Sequence, residues 1–440
     1  MKVLKFGGTS VGSAEHIAHV KNIINDGQQK IVVLSAMSGT TNKLLAIAKD
    51  IADKNPDAAV KKLSSLHEAY LQTLATLIFD DTLNIDVKNY ASTIFNFLLD
   101  CVHKPFSENL ENSIVAQGEL LSTYLVNAYL NQEGINASLL PALSFMRIDD
   151  TNEPNMPYIK AHLKRVFNAT KPSDIYMTQG FICLDAQNAI SNLQRGGSDY
   201  TATIIGAAIQ AEEVQIWTDI DGMHNNDPRH VAHTNPIANL SFDEAAELAY
   251  FGAKILHPQT VMPVRGDCIP VRLKNTMNPD AYGTLISDKT SEKGIKAIAA
   301  KDGITAIKIK SGRMLQAHGF LKKVFEIFEV YETAIDMITT SEVAVSLTID
   351  DAKNLYKIVA ELETFARVEV DSNQSIICLV GHQIVNHPET HKLFQILQDV
   401  KIRMISYGGS NNNISLLVDS NNKIETLQKL NRYLFELIPV

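Results

Sequence analysis

The sequence predicts an α/β fold: a mostly parallel sheet with helices on both faces, followed by a smaller, duplicated region of βαββαβ type. Three observations predict it. Continuous apolar runs alternate with amphipathic stretches over roughly the first 290 residues, the pattern of strands that a parallel sheet buries on both faces. Residues 57–132 keep a helical period, with Leu, Ile, Phe and Ala recurring at three and four. Past about residue 290 a pattern repeats. FEIFEVYETAIDMITTSEVAVSLTI (325–349) and FQILQDVKIRMISYGGSNNNISLLV (394–418) each read helix, loop, strand, turn, strand, the second copy starting 69 residues after the first.

Taken in order, Val3-Leu4-Lys5-Phe6 reads as a short buried strand, Gly7 and Gly8 as the turn after it, and a helical pattern begins near Ala14. IVVLSAM (31–37) is a second strand, running into SGTTNKLLAIAKDIA, a glycine-containing loop and an amphipathic helix. Apolar runs resume at INASLLPA (135–142), DIYMTQGFI (174–182) and EVQIWTDI (213–220). Ligands of such sheets collect in the loops at the carboxyl ends of the strands.

Composition narrows the function. At 440 residues the chain has length for two or three domains, and 45% apolar with 20% charged residues is an ordinary globular balance. A formal charge of −9 argues against broad binding to nucleic acid or anionic membranes. Cys101, Cys183, Cys268 and Cys378 are widely spaced and form no CxxC pair; with no signal-peptide pattern and no apolar window of about 18 residues, the expectation is a cytoplasmic enzyme.

Glycine concentrates with charge in KFGGTS, SAMSGTTN (35–42), QGE (117–119), QRGGSDYTAT (194–203) and TDIDGMHNNDPR (218–229), and FGAKILHP (251–258) adds a lysine. Singly, each is a turn or a solvated surface. Together they supply what phosphoryl transfer needs: cations around the migrating group, glycine backbone against phosphate oxygens, and carboxylates. Lys5 and Lys254 bring charge; Gly7, Gly8, Gly196 and Gly197 allow close N–H approach; Arg195 can grip a carboxylate bidentately. No GxxxxGK[ST] occurs, nor the protein-kinase HRD and DFG signatures.

KFGGTSVG, SAMSGTTN, GE, RGGSDYTAT, WTDIDG…DPR and FGAKILHP stand in the order found in aspartokinases, and over essentially its whole length the chain resembles that family. The resemblance implies an amino acid kinase-like three-layer sandwich with a largely parallel eight-stranded sheet over 1–293, then two ferredoxin-like ACT units over 294–440. The first ACT unit, about 312–380, would be inserted into the second, about 294–311 plus 381–440. It implies ATP and Mg²⁺ as cofactors and L-aspartate as acceptor, giving 4-phospho-L-aspartate, the first step towards lysine, threonine and methionine. Lys5, Asp199 and Lys254 would be catalytic. Lys5, Phe6, Gly7, Gly8, Thr218, Asp219, His224, Arg229, Lys254 and Ile255 would surround the nucleotide. Ser35, Thr41, Glu119, Arg195, Gly196, Gly197, Ser198 and Asp199 would bind aspartate.

MLQAHGFLKKVFEIF…TAIDMITTSEV (314–343) resembles the first ACT unit of lysine-inhibited aspartokinases. Met314, Gly319, Phe320, Leu321, Asp336, Thr340, Ser341 and Glu342 match its effector loop and strand, so L-lysine is the expected inhibitor, with Asp336 or Glu342 meeting its ammonium. Phe320 and Leu321 fit equally well as core residues. Two positions depart from the family pattern: His224 stands where tyrosine is usual, and Gln316 where the lysine-inhibited relatives have histidine. ACT units of this family pair across subunits, so a homodimer is expected, with a tetramer as the alternative. With the second unit reaching the end of the sequence, no fused homoserine dehydrogenase is expected. Two other functions stay open at this point: another amino acid kinase, acting on N-acetylglutamate or glutamate, and a catalytically silent ACT sensor of amino acids.

Overall fold

A computed structural model describes residues 1–193, 196–252, 256–289, 293–312 and 318–436. Contacts divide the chain into two units. One takes 1–223, 238–242 and 256–289; the other takes 224–237, 243–252 and the described residues from Lys293 on.

The first unit begins with β1 (Lys2–Phe6), α1 (Ala14–Ile24), β2 (Lys30–Leu34), α2 (Thr40–Ala52), α3 (Pro56–Leu77), α4 (Asp81–Cys101), α5 (Glu108–Val115) and α6 (Gln117–Gln132). It continues with β3 (Ala137–Leu139), α7 (Met156–Ala169), β4 (Ile175–Gln179), β5 (Ile182–Leu184), β6 (Ile190–Asn192), α8 (Gly197–Ile209) and β7 (Val214–Thr218). After β8 (Asn239–Leu240) and α9 (Phe242–Tyr250), whose residues from Asp243 on pack with the second unit, come α10 (Met262–Arg265), β9 (Val271–Asn275) and β10 (Thr284–Ile286). Eight strands form one sheet in the order β3-β4-β2-β1-β7-β9-β10-β8. Every neighbouring pair is parallel except β9 with β10.

β2 is buried along its whole length, as its unbroken apolar run requires; its one charged residue, Lys30, gives its ammonium to the Ile24 carbonyl and the Asp26 carboxylate. The helices start where side chains can accept the first free N–H groups: Ser13 caps α1, Asn55 caps α3 with Pro56 at its first position, Asp80 caps α4 and Ser107 caps α5. Helices α1–α6 and the sheet bury one large core, containing Phe6, Ile17, Leu34, Leu63, Phe95, Leu125, Met177 and Trp217.

The second unit holds β11 (Gly294–Lys310), α11 (Phe320–Val330), β12 (Ile338–Thr340), β13 (Ala344–Ile349), α12 (Leu355–Leu362), β14 (Arg367–His382), α13 (Leu393–Ile396), β15 (Ile402–Ser406), β16 (Asn413–Asp419) and α14 (Lys423–Asn431). Its sheet runs β12-β13-β11-β14-β16-β15, all antiparallel. β11 and β14 pair from Gly294↔His382 to Lys310↔Arg367, with irregularities between Lys301 and Ala306. On one side of that irregularity β13 joins β11 at Thr305–Lys310; on the other β16 joins β14 at Gln374–Val380. Each side has its own core, one around Ile307, Phe328 and Leu347, the other around Ile377, Leu416 and Leu427. Two βαββαβ-type halves thus share one pair of long strands, and no linker marks the passage between them.

Two stretches before residue 293 are built into this second unit. Val231 enters the core with Ile298 and Leu427, Asn226 Nδ2 donates to the Leu427 carbonyl at 3.3 Å, and the Ile298 N–H donates to the Asn225 carbonyl at 2.8 Å. In α9, Glu244 pairs with Lys296 at 2.9 Å and Glu247 accepts from Asn413 at 2.5 Å. Among the described residues no helix is long and apolar enough to cross a membrane.

Candidate active site

Five neighbouring parallel strands, β4, β2, β1, β7 and β9, end at one edge: Leu34 pairs with Gln179 and Phe6, Phe6 with Trp217, and Thr218 with Asn275. Alternation along β1 sends Leu4 and Phe6 into the core, where Phe6 stacks on Trp217 at 5.6 Å. Lys5 points to the other face and pairs with Asp199, in the first turn of α8, at 2.7 Å. Both side chains are largely covered, 11% and 18% exposed, so the pair is screened less than a surface bridge.

The glycines explain how chain segments come this close. A Cβ on Gly8 would lie 3.0 Å from the Ala36 carbonyl, and one on Gly7 would lie 3.3 Å from the Lys5 ammonium. Gly196, at φ +75°, precedes α8, and a Cβ there would stand 2.5 Å from Thr260 Oγ1. Together these gaps bring the loops after β1 and β2 and the start of α8 around the Lys5 ammonium.

Across this edge, Ser35 Oγ donates to Ser198 Oγ at 2.9 Å, joining the end of β2 to α8. Gly118 lets α6 approach the same loop, since a Cβ there would meet Ala36 Cβ at 2.9 Å. Glu119 follows, 3% exposed; its Oε1 accepts the Ala36 N–H at 3.2 Å, while its buried Oε2 has no hydrogen-bond partner among the described residues. Burial pushes the Glu119 carboxyl up to about 7, against the lowering effect of the Ala36 N–H. Ser122 Oγ donates to the Ser35 carbonyl at 2.8 Å, fixing α6 to the strand end, and within the helix Thr123 Oγ1 donates to the Glu119 carbonyl at 2.7 Å.

Of the residues singled out in the sequence, Lys5, Ser35, Glu119, Ser198 and Asp199 are thus linked by short contacts around one strand edge. Phe6, Gly7, Gly8, Gly196 and Gly197 frame it, and Thr41 is the second residue of α2. Thr218 ends β7, beside β1, with its hydroxyl on Asp219 Oδ1 at 3.1 Å. His224 and Arg229 belong to the second unit: His224 Nδ1 meets Thr234 Oγ1 at 2.8 Å, and Arg229 grips Asp227 at 2.7 Å, holding that carboxyl below its usual range. Arg195, Lys254, Ile255 and Met314 lie outside the described residues.

On the regulatory side, Gly319, at φ +89°, immediately precedes α11, and Phe320 packs edge-on against Phe365 at 5.7 Å in that half's core. Leu321 and Glu342 are exposed, Thr340 ends β12, and the Ser341 N–H donates to the Ala344 carbonyl at 2.8 Å. Asp336 Oδ1 already accepts from Lys301 at 2.8 Å and from the Tyr250 hydroxyl at 2.5 Å.

One positioning residue carries no charge that sequence reasoning would catch. Gly180 follows β4, and a Cβ there would fall 2.3 Å from Ser198 Cβ. Its only signal is an isolated glycine closing an apolar run, the mark of a close backbone approach.

The amino acid kinase family model matches residues 1–275, and an ACT domain model matches 377–434. The sequence is 36% identical to aspartokinase 2, chloroplastic, of Arabidopsis thaliana, over 99% of this chain and 85% of that protein. It is 33% identical to lysine-sensitive aspartokinase 3 of Escherichia coli K12, over 99% of each. Among solved structures, E. coli aspartokinase III in complex with aspartate and ADP superposes with a TM-score of 0.84 at 32% identity, covering 99% of this chain and 100% of that one.

Proposed function

Since this chain belongs to the aspartokinases, within the amino acid kinase family, and is an aspartate kinase, we propose how its own residues divide the reaction. ATP gives its γ-phosphoryl to the side-chain carboxylate of L-aspartate, leaving ADP and 4-phospho-L-aspartate. That carboxylate is ionised at neutral pH and needs no strong base. The obstacle is two anions meeting: unit charges 4 Å apart interact by about 4 kcal/mol at an effective dielectric of about 20, and a cation at similar range offsets as much.

Lys5 supplies that cation beside the migrating phosphoryl, held in place by Asp199 at 2.7 Å. Lys254 adds a second. Gly7 and Gly8, with Phe6, Thr218, Asp219, His224, Arg229 and Ile255, surround the nucleotide. Arg195 takes the α-carboxylate of aspartate bidentately. Glu119 takes its ammonium, which is the use its unpartnered, buried Oε2 fits. Ser35, Thr41, Ser198 and the backbone at Gly196 and Gly197 align the acceptor for in-line attack, the main contribution left once charge is balanced.

Among the described residues no trio of His, Cys, Asp or Glu could hold a metal alone. Mg²⁺ would come carried on the nucleotide's own phosphates, since this ion needs few protein ligands, and no carboxylate is assigned to it. When bound, Mg²⁺ neutralises charge between the phosphates.

For regulation, the reading is feedback inhibition by L-lysine at the first ACT half, supported by the effector-loop motif and by similarity to a relative named lysine-sensitive. It also holds that the enzyme is a cytoplasmic homodimer through its ACT halves, with a tetramer as the alternative, and opens lysine, threonine and methionine synthesis. The observation that carries the catalytic assignment is the pairing of Lys5 with Asp199 at the strand edge where one Glu119 oxygen has no hydrogen bond among the described residues. ADP release should follow L-aspartate and not glutamate or N-acetylglutamate, and should fall when lysine is added. Equal rates with glutamate would overturn the acceptor assignment, and indifference to millimolar lysine would overturn the effector.

A further inference from the structure

One charged cluster plays no part in the chemistry above. Lys301 sits on β11 at the start of its irregular stretch. Its ammonium lies 2.8 Å from Asp336 Oδ1 and 2.7 Å from Asp350 Oδ2, and 4.4 Å from the centre of the Tyr250 ring. The Tyr250 hydroxyl donates to the same Asp336 oxygen at 2.5 Å. The Asp336 side chain is only 1% exposed, and its other oxygen, Oδ2, is buried with no hydrogen-bond partner among the described residues.

The balance of this cluster is uneven. Among the described residues one ammonium serves two carboxylates, leaving a net negative charge and an unused acceptor in a covered place. Such a site favours a further cationic donor, because a buried oxygen with no donor is costly. Yet Asp336 is itself covered, and Lys301 and the Tyr250 hydroxyl already occupy its Oδ1. The arrangement resembles a bound ligand whose ligand is part of the chain: an alkylammonium on a carboxylate, the contact that a lysine effector would make.

Resting on the effector reading above, we propose that Lys301 is a built-in competitor for the effector's carboxylate. Its tethered ammonium occupies Asp336 in the effector-free protein, and L-lysine binds by taking its place there. A tethered group competes at the effective concentration that its tether sets, commonly millimolar, so Lys301 raises the lysine concentration at which inhibition begins. Asp350 makes the exchange possible. When Lys301 leaves Asp336 its ammonium stays paired at Asp350, so displacement does not strand a half-buried cation.

The test is lysine inhibition and calorimetric lysine binding on the full chain, for wild type, Lys301→Met, Lys301→Arg and Asp350→Asn. Lys301→Met frees Asp336 of the tethered ammonium, and the half-inhibitory lysine concentration should fall about tenfold or more; Lys301→Arg, which keeps a tethered cation at that position, should stay near wild type. Asp350→Asn, at a partly exposed position, removes the fallback partner, ties Lys301 more firmly to Asp336 and should raise that concentration. It also keeps the proposal testable if Lys301→Met does not fold. A wild type that responds to lysine, with Lys301→Met equally or less sensitive, overturns the competitor while leaving lysine regulation standing; an unchanged or lowered concentration in Asp350→Asn does the same. An insensitive wild type with a sensitive Lys301→Met supports the proposal. Insensitivity of both removes the effector reading and the competitor with it.

Discussion

Glu119 should give aspartate use a pH dependence that the rest of the site does not. Its carboxyl is buried against the loop after β2, one oxygen on the Ala36 N–H and the other without a hydrogen bond among the described residues, and burial raises it to about 7. On the proposed assignment, the substrate's ammonium needs the ionised form. Aspartate's own groups keep their charges between pH 6 and 8, so the part of the change that Glu119→Gln abolishes falls on this carboxyl. With a midpoint near 7, about nine-tenths of free enzyme carries protonated Glu119 at pH 6, so kcat/KM for aspartate should drop about tenfold there and level off by about pH 8. Saturating aspartate should flatten the profile of kcat, because the bound ammonium favours the carboxylate. Glu119→Gln should lose aspartate affinity and the pH dependence together. The same shift acts on stability: a folded pKa above the unfolded value of 4.5 gives stability that is full below about 4.5 and lost as pH rises through 7, up to about 3 kcal/mol. Glu119→Gln should therefore melt higher than wild type at pH 8 while using aspartate poorly. The assay is initial-rate ADP release at varied aspartate from pH 6 to 8, with melting curves alongside. A flat wild-type kcat/KM, or a tenfold drop that survives in Glu119→Gln, would refute the reasoning.

Three further outcomes follow from the geometry. Lys5→Met removes the cation held 2.7 Å from Asp199 and should lower kcat by about two to three orders of magnitude; a loss of less than about tenfold in single-turnover rate would dismiss its role. Gly180→Ala forces the start of α8 away, because the new methyl would lie 2.3 Å from Ser198 Cβ. A displacement of about 1 Å should cost about a hundredfold in rate and about 1–3 kcal/mol in unfolding free energy, read by kinetics and urea melts; wild-type rate and stability together would contradict the packing. Arg195→Ala should raise KM for aspartate more than it lowers kcat, and Arg195→Lys should recover only part of it, since an ammonium lacks the two-pronged grip; full recovery by lysine would argue against bidentate binding.

Much of the fold was legible because burial on both faces leaves a plain mark. β2 and β4 carry continuous apolar runs and are buried throughout, and the duplicated region shows itself by its spacing. The divisions of the helical stretch from 57 to 132 are written in caps, Asp80 and Ser107, that periodicity alone passes over. The site was legible wherever charge meets glycine. Gly8 lies in the turn after β1, as its sequence reads, and there also leaves the gap that the Ala36 carbonyl approaches; Gly180 left no chemical trace. Membership of 224–237 in the second unit was hidden, because Val231 and scattered long-range hydrogen bonds hold it, among them Asn226 with Asn431 at 3.2 Å across 205 positions. Lys301 was invisible for the same reason: its partners Asp336 and Asp350 come from other strands' ends, and no local pattern announces a contact made by antiparallel pairing.

The central claim is that the β1 lysine promotes phosphoryl transfer to a carboxylate poised at the same strand edge. Trapping the product with hydroxylamine during turnover of ATP and L-aspartate measures that step itself. Aspartyl hydroxamate should form one for one with ADP in the wild type and almost vanish in Lys5→Met. ADP appearing without hydroxamate, or hydroxamate at an undiminished rate without the Lys5 ammonium, would contradict it.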